Sequence, residues 1–141
     1  DRPAYPCSGS AQSALVAMAF ENASEPTLSD RGARIALIFA LVAERLTFFY
    51  EHGQWLTVAQ GASLAADWLT RSKRSLPLSE RKHLSELSDQ LARQMAESLS
   101  REAGLYTAHE MMEALDPNYP SELGMSMMHE CERVFDASIA D

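Results

Sequence analysis

The side chains best suited to chemistry crowd towards the C-terminal end of the sequence. Met125, Met128 and His129 fall three and four residues apart, so on a helix they share one side. Thioether and imidazole are groups that Cu(I) accepts, and Cys131 stands close by as a thiolate candidate. A small-ligand or metal-binding helical protein, with Cu(I) held by Met125, Met128 and His129, is therefore one functional reading. The competing reading is that these residues, with Met111, Met112 and Met127, fill irregular core gaps or line a protein contact, as flexible methionines do.

Other candidate motifs are incomplete. Glu80-x-x-His83 has the spacing of half a carboxylate-bridged di-iron site, which needs a second copy and two further helix carboxylates; the sequence holds one copy. Glu80 is also simply favourable in the first turn of a helix. His109-Glu110-x-x-Glu113 carries Glu where the zinc-protease motif requires its second histidine. Cys7-Ser8-Gly9-Ser10 lacks the strand–turn–helix setting of a nucleophile elbow, and the glycines are scattered singly rather than gathered into a phosphate loop. No complete catalytic constellation assembles, and the expectation is a protein that is not an enzyme and needs no cofactor.

Aromatic residues offer a different kind of site. Phe48, Phe49, Tyr50 and Trp55, with His52 among them, surround one expected turn. Phe48, Tyr50 and Trp55 are candidate partner-binding residues, and Tyr119 beside Pro120 is another, because large rings anchor interface centres. The plainer reading is a core edge closed by amphipathic rings.

Charge narrows the classes. Twelve Lys and Arg against 20 Asp and Glu give a formal charge of −8, which repels phosphate backbones and argues against nucleic acid. A protein partner with a basic surface is compatible, as is a homodimer. Arg71, Lys73 and Arg74 close one expected helix, where cations suit the negative end of the helix dipole. The apolar run Ile35 to Ala43, followed at once by Glu44-Arg45, falls short of the roughly 20 residues that a membrane span needs.

The two cysteines, Cys7 and Cys131, lie near opposite ends of the chain and in no Cys-x-x-Cys pair. They suit one disulfide joining the first helix to the last, which in the chain-entropy model stabilises by about 4–5 kcal/mol. Asp1-Arg-Pro-Ala-Tyr-Pro reads as the start of a mature chain after signal removal, so the expected compartment is periplasmic or secreted. Two reduced thiols in a cytoplasmic protein are the alternative.

The elements that must position these residues are all helical. The 141 residues suit a single compact all-α domain of five to six helices around a central apolar helix at about 29–51, with residues 1–7 as an extended arm. Ile35, Ile38, Phe39, Val42, Leu46 and Phe49 form one stripe of that helix, while Leu37, Leu41 and Phe48 make a second side apolar, as in a helix with neighbours on both sides. Ser29 is its expected N-cap and Gly53 its stop. A first helix is expected over 11–22. Thr57 is expected to cap a third helix, Ser79 a fourth with the stripe Leu84, Leu87, Leu91, Met95 and Leu99, Thr107 a short one through Leu115, and Ser121 the last, to about Ile139.

The function expected on these grounds is a non-enzymatic protein-binding module of an oxidising compartment. Periplasmic inhibitors, immunity proteins against secreted toxins, adaptors and small chaperones all fall in that class. Small-ligand or Cu(I) binding is the alternative.

Overall fold

The computed structural model describes residues 14–18, 28–71, 73–102, 110, 113–115 and 121–140. The chain is all-α, with five helices in one compact arrangement and no strand among the described residues. The described part of α1 is 14–18; α2 is Leu28–His52, α3 Val58–Arg71, α4 Leu78–Glu102 and α5 Glu122–Ile139. The extended arm, Cys7, Thr107, His109 and Tyr119 lie outside the described residues.

Helix ends follow local chemistry. Gly53 has φ 70° and donates its N–H to the Phe49 carbonyl, which ends α2 in the left-handed conformation that glycine adopts freely. Thr57 caps α3 as expected and does so reciprocally: Gln60 N–H donates to Thr57 Oγ1 at 3.0 Å, and Thr57 N–H donates to Gln60 Oε1 at 2.9 Å. Lys73 and Arg74 donate back to the Thr70 and Leu69 carbonyls, a Schellman ending with Lys73 at φ 58°. Ser121 caps α5, accepting from Gly124 N–H at 2.9 Å and donating to the Ala114 carbonyl at 2.6 Å. Ser79, expected as a cap, lies inside α4. That helix starts at Leu78, and Arg81 N–H already donates to the Pro77 carbonyl, so Pro77 occupies the cap position and leaves no N–H of its own to satisfy. Ser29 likewise lies in the first turn of α2, one residue inside its start.

Cross-helix bonds set the directions. Arg34 pairs with Glu80, and further along both helices Arg45 reaches Ser85, Ser88 and Asp89, so α2 and α4 run parallel. Arg81 donates to the Ala62 carbonyl while Ser85 Oγ donates to the Val58 carbonyl, so α3 runs antiparallel to α4. His83 Nε2 lies 3.3 Å from Ser138 Oγ, and Arg31 grips Asp136 through two hydrogen bonds of 2.9 and 2.7 Å, so α5 runs antiparallel to α2 and α4. Buried Ser85, Ser88, Ala92 and Ala96 recur on α4 at three- and four-residue steps, and so small a face lets α4 lie close against α2.

The central position of α2 follows from its two apolar sides. Every residue from Ile35 to Phe48 is buried, and Trp68 of α3, Leu84 and Leu91 of α4, and Met127 and Phe135 of α5 complete the core. Cys131 is a free thiol in that core, fully buried, and burial followed by the nearby Glu130 and Glu132 pushes its pKa up to about 12. The disulfide expected from Cys7 to Cys131 is therefore not formed. Cys131 shares an inward face with Met127 and Phe135, so its sulfur packs as a small hydrophobe.

Glu44 is a second ionisable group held in the interior. It is 5% exposed, with no hydrogen bond or ion pair among the described residues. Burial first, then repulsion from Glu51, raises its pKa from 4.5 to about 7. A raised folded-state pKa means that the neutral carboxyl favours the fold, fully so below pH 4.5, and that this contribution fades as pH rises towards 7. Urea unfolding across this range should show the wild type losing on the order of 3 kcal/mol relative to Glu44→Gln, with the Gln variant the more stable at pH 8.

Candidate functional site

Arg45 occupies a stripe position of α2 and is fully buried. Its guanidinium is saturated by acceptors from three directions. Nε donates to Ser88 Oγ at 2.9 Å, and Nη1 donates to the Leu56 carbonyl at 2.7 Å and to Asp89 Oδ1 at 3.3 Å. Nη2 donates to Ser85 Oγ at 2.7 Å and to the Thr57 and Ser85 carbonyls, each at 3.3 Å. Ser88 Oγ donates onward to the Ser85 carbonyl. Burial lowers the Arg45 pKa to about 10 against the opposing pull of Asp89, so the group stays charged at neutral pH.

This guanidinium holds the α2–α3 turn from beneath, since the Leu56 and Thr57 carbonyls follow directly on Trp55. Asp89 is shared: besides Arg45 it accepts from Arg93 Nε at 3.1 and 3.2 Å. Arg93 in turn lies over the Trp55 ring, 5.2 Å from its centroid. The Trp55 ring also stacks on Phe49, centroids 4.2 Å apart and planes 9° from parallel. Tyr50 meets Phe49 edge-on at 5.8 Å. A continuous set of contacts thus runs from a buried cation to a surface aromatic.

The expected aromatic residues divide accordingly. Phe48 is 6% exposed, its ring 4.4 Å from that of His52, and it belongs to the core. Tyr50 and Trp55, at the turn, are half-buried and retain some exposure. Arg45, Asp89 and Arg93 went unnoticed in the sequence as parts of this end. The available signal was Arg45 itself, which falls in step with Ile38, Leu41 and Val42 on an otherwise apolar stripe.

The metal-ligand candidates share α5 but differ in exposure. Met125 is 62% exposed, the His129 side chain 82%, and Met128 is half-buried. His129 Nδ1 lies 3.7 Å from Glu132. The Cys131 thiol, the strongest nearby ligand, is on the buried side of α5, where its raised pKa opposes thiolate formation. No group of three or more His, Cys, Asp or Glu is placed to hold a metal among the described residues. Glu80 and His83 are drawn apart, the first to Arg34 on α2 and the second to Ser138 on α5.

Beside the aromatic end, a groove of about 310 Å³ opens between α4 and α5. Leu91, Met95 and Leu123 supply its apolar surface, and Gln94, Ser126 and Glu130 its polar surface.

Gly61 is where this arrangement is least tolerant. A Cβ there would lie 2.3 Å from Ser85 Oγ and 2.6 Å from Arg45 Nη2, so any side chain displaces the guanidinium or its partner. Gly61→Ala should lower stability by about 2–3 kcal/mol in urea unfolding and shift Trp55 fluorescence, whereas Gly32→Ala, which meets nothing within 4 Å, should do neither. Comparison with protein-family models, curated protein sequences and solved structures finds no match to this chain.

Proposed function

We propose that this chain is a non-enzymatic protein-binding module whose contact surface centres on the α2–α3 turn, with Tyr50 and Trp55 as its anchors. One observation carries this reading: Trp55 is held by both a stacked Phe49 and the Arg93 guanidinium yet is only partly buried. An aromatic fixed before contact loses little further rotamer freedom on binding, which is what a hot-spot anchor needs. Glu51 beside it and the net charge of −8 suit a partner presenting basic groups. Inhibitors, immunity proteins, adaptors and small chaperones all remain within this class. The free Cys131 withdraws the disulfide argument for an oxidising compartment, and the binding reading stands without it.

The test is quantitative capture from the native source on immobilised wild-type chain, Tyr50→Ala and Trp55→Ala, with thermal melts of each. A protein retained by the wild type and weakened at least about 30-fold by Trp55→Ala, with Tyr50→Ala also reduced and each variant still folded at the assay temperature, is the expected result. Equal retention by all three overturns it.

A further inference from the structure

The net negative charge of this chain is not evenly spread. At the end of the bundle where α3 stops and α4 starts, Lys73, Arg74, Arg81 and Lys82 have no carboxylate partner among the described residues. Arg81 directs its hydrogen bonds to the neutral Leu76 and Ala62 carbonyls and so meets no carboxylate among the described residues. Lys73, Arg74 and Lys82 are exposed. Arg31 and Arg34, at the same end, are matched by Asp136 and Glu80 and so neither add to nor cancel the surplus. The same end carries two of the large apolar side chains that reach solvent: Leu78 at 56% and Ile139 at 62% exposure, one opening α4 and the other closing α5.

We propose that this end docks peripherally on an anionic lipid surface, with Lys73, Arg74 and Lys82 against headgroup phosphates and Leu78 entering the boundary between headgroups and acyl chains. Exposed leucine beside uncompensated cations is the pairing that a charged, fluid, apolar-backed surface satisfies at once. A nucleic acid would use the cations and leave Leu78 and Ile139 without partners. An acidic peptide would need a groove, and the hollow here, between Leu69, Arg74, Leu76 and Arg81, is only about 90 Å³. Much of the net charge of −8 lies away from this end, although exposed Glu86 stands one turn beyond Lys82 on α4. The 25 residues of α4 extend about 37 Å. The far-end acids Glu51, Glu97 and Glu122 are therefore several screening lengths of about 8 Å from the docked end. Peripheral docking needs no membrane-crossing helix, and among the described residues none is long and apolar enough to be one.

The test is co-sedimentation of the full chain with phosphatidylcholine vesicles, with and without about one third phosphatidylserine, at low and high salt. Binding is expected only with the anionic lipid and is expected to fall with salt. At about five-fold per cation, Lys73→Glu with Arg74→Glu should weaken it at least about 25-fold. Leu78→Asp should also weaken it, and Arg133→Glu, midway along α5, should leave it nearly intact. Circular dichroism confirms that each variant is folded. Failure of the wild type to bind anionic vesicles at low salt overturns the proposal, as does equal binding by the Lys73→Glu/Arg74→Glu variant. Two other results overturn it by assigning this end elsewhere. One is poly-glutamate binding as tight as vesicle binding and indifferent to Leu78→Asp, which marks a dock for acidic protein. The other is self-association in sedimentation velocity that Lys73→Glu/Arg74→Glu abolishes while the wild type ignores vesicles, which marks a contact between copies.

Discussion

A guanidinium removed from water must recover its hydration inside the protein, and most of the α2, α3 and α4 packing can be understood as the way Arg45 does so. Removing such a cation from solvent is unfavourable by several kcal/mol even after the surroundings relax. The deficit is offset only when the donors are satisfied together, and here the acceptors come from the α2–α3 connection and from one turn of α4. Those acceptors cannot be supplied by any one helix. The three helices must therefore meet at one depth and in one rotation, which apolar packing alone specifies loosely.

The same constraint reaches the surface. Asp89 is only partly satisfied by Arg45, at 3.3 Å, and its remaining capacity goes to Arg93. Arg93, so held, lies over Trp55, and Phe49, one turn beyond Arg45 on α2, stacks on the same ring. The turn backbone is held from below by the cation whose carboxylate partner positions the clamp from above. A loop tip would ordinarily be the mobile part of such a bundle. Here it is tied to a fully buried guanidinium, and the placement of the aromatic end follows from the electrostatics of the core.

Much of this was legible in the residues. The two apolar sides of Leu28–His52 announced a central helix, and Thr57 and Ser121 announced helix starts, because these are local signals that depend on neighbours within one turn. Arg45 read only as a charge that ended an apolar run. Its acceptors are main-chain carbonyls and, far along the chain, two serines and Asp89, and nothing in local spacing marks them. The cysteines misled for a related reason: an even count at opposite ends is compatible with a bridge, yet Cys131 falls in step with Met127 and Phe135 on the inward face of α5. The aromatic cluster was visible as composition. Its division into a core ring, Phe48, and half-buried Tyr50 and Trp55 depends on which way α2 is rotated, and that rotation is set by the same arginine.

The close approach at Gly61 bears on how this sequence can drift over time. Arg45, Ser85 and Ser88 are joined by hydrogen bonds, and Gly61 lies so close to Arg45 and Ser85 that it cannot gain a side chain alone. A descendant that accepts a side chain at position 61 must change both the arginine and Ser85, because each stands within 3 Å of where its Cβ would lie. While the arginine persists, position 61 has one permitted residue. The four positions therefore form a single hereditary unit within a helical framework whose other apolar positions can exchange among residues of similar volume.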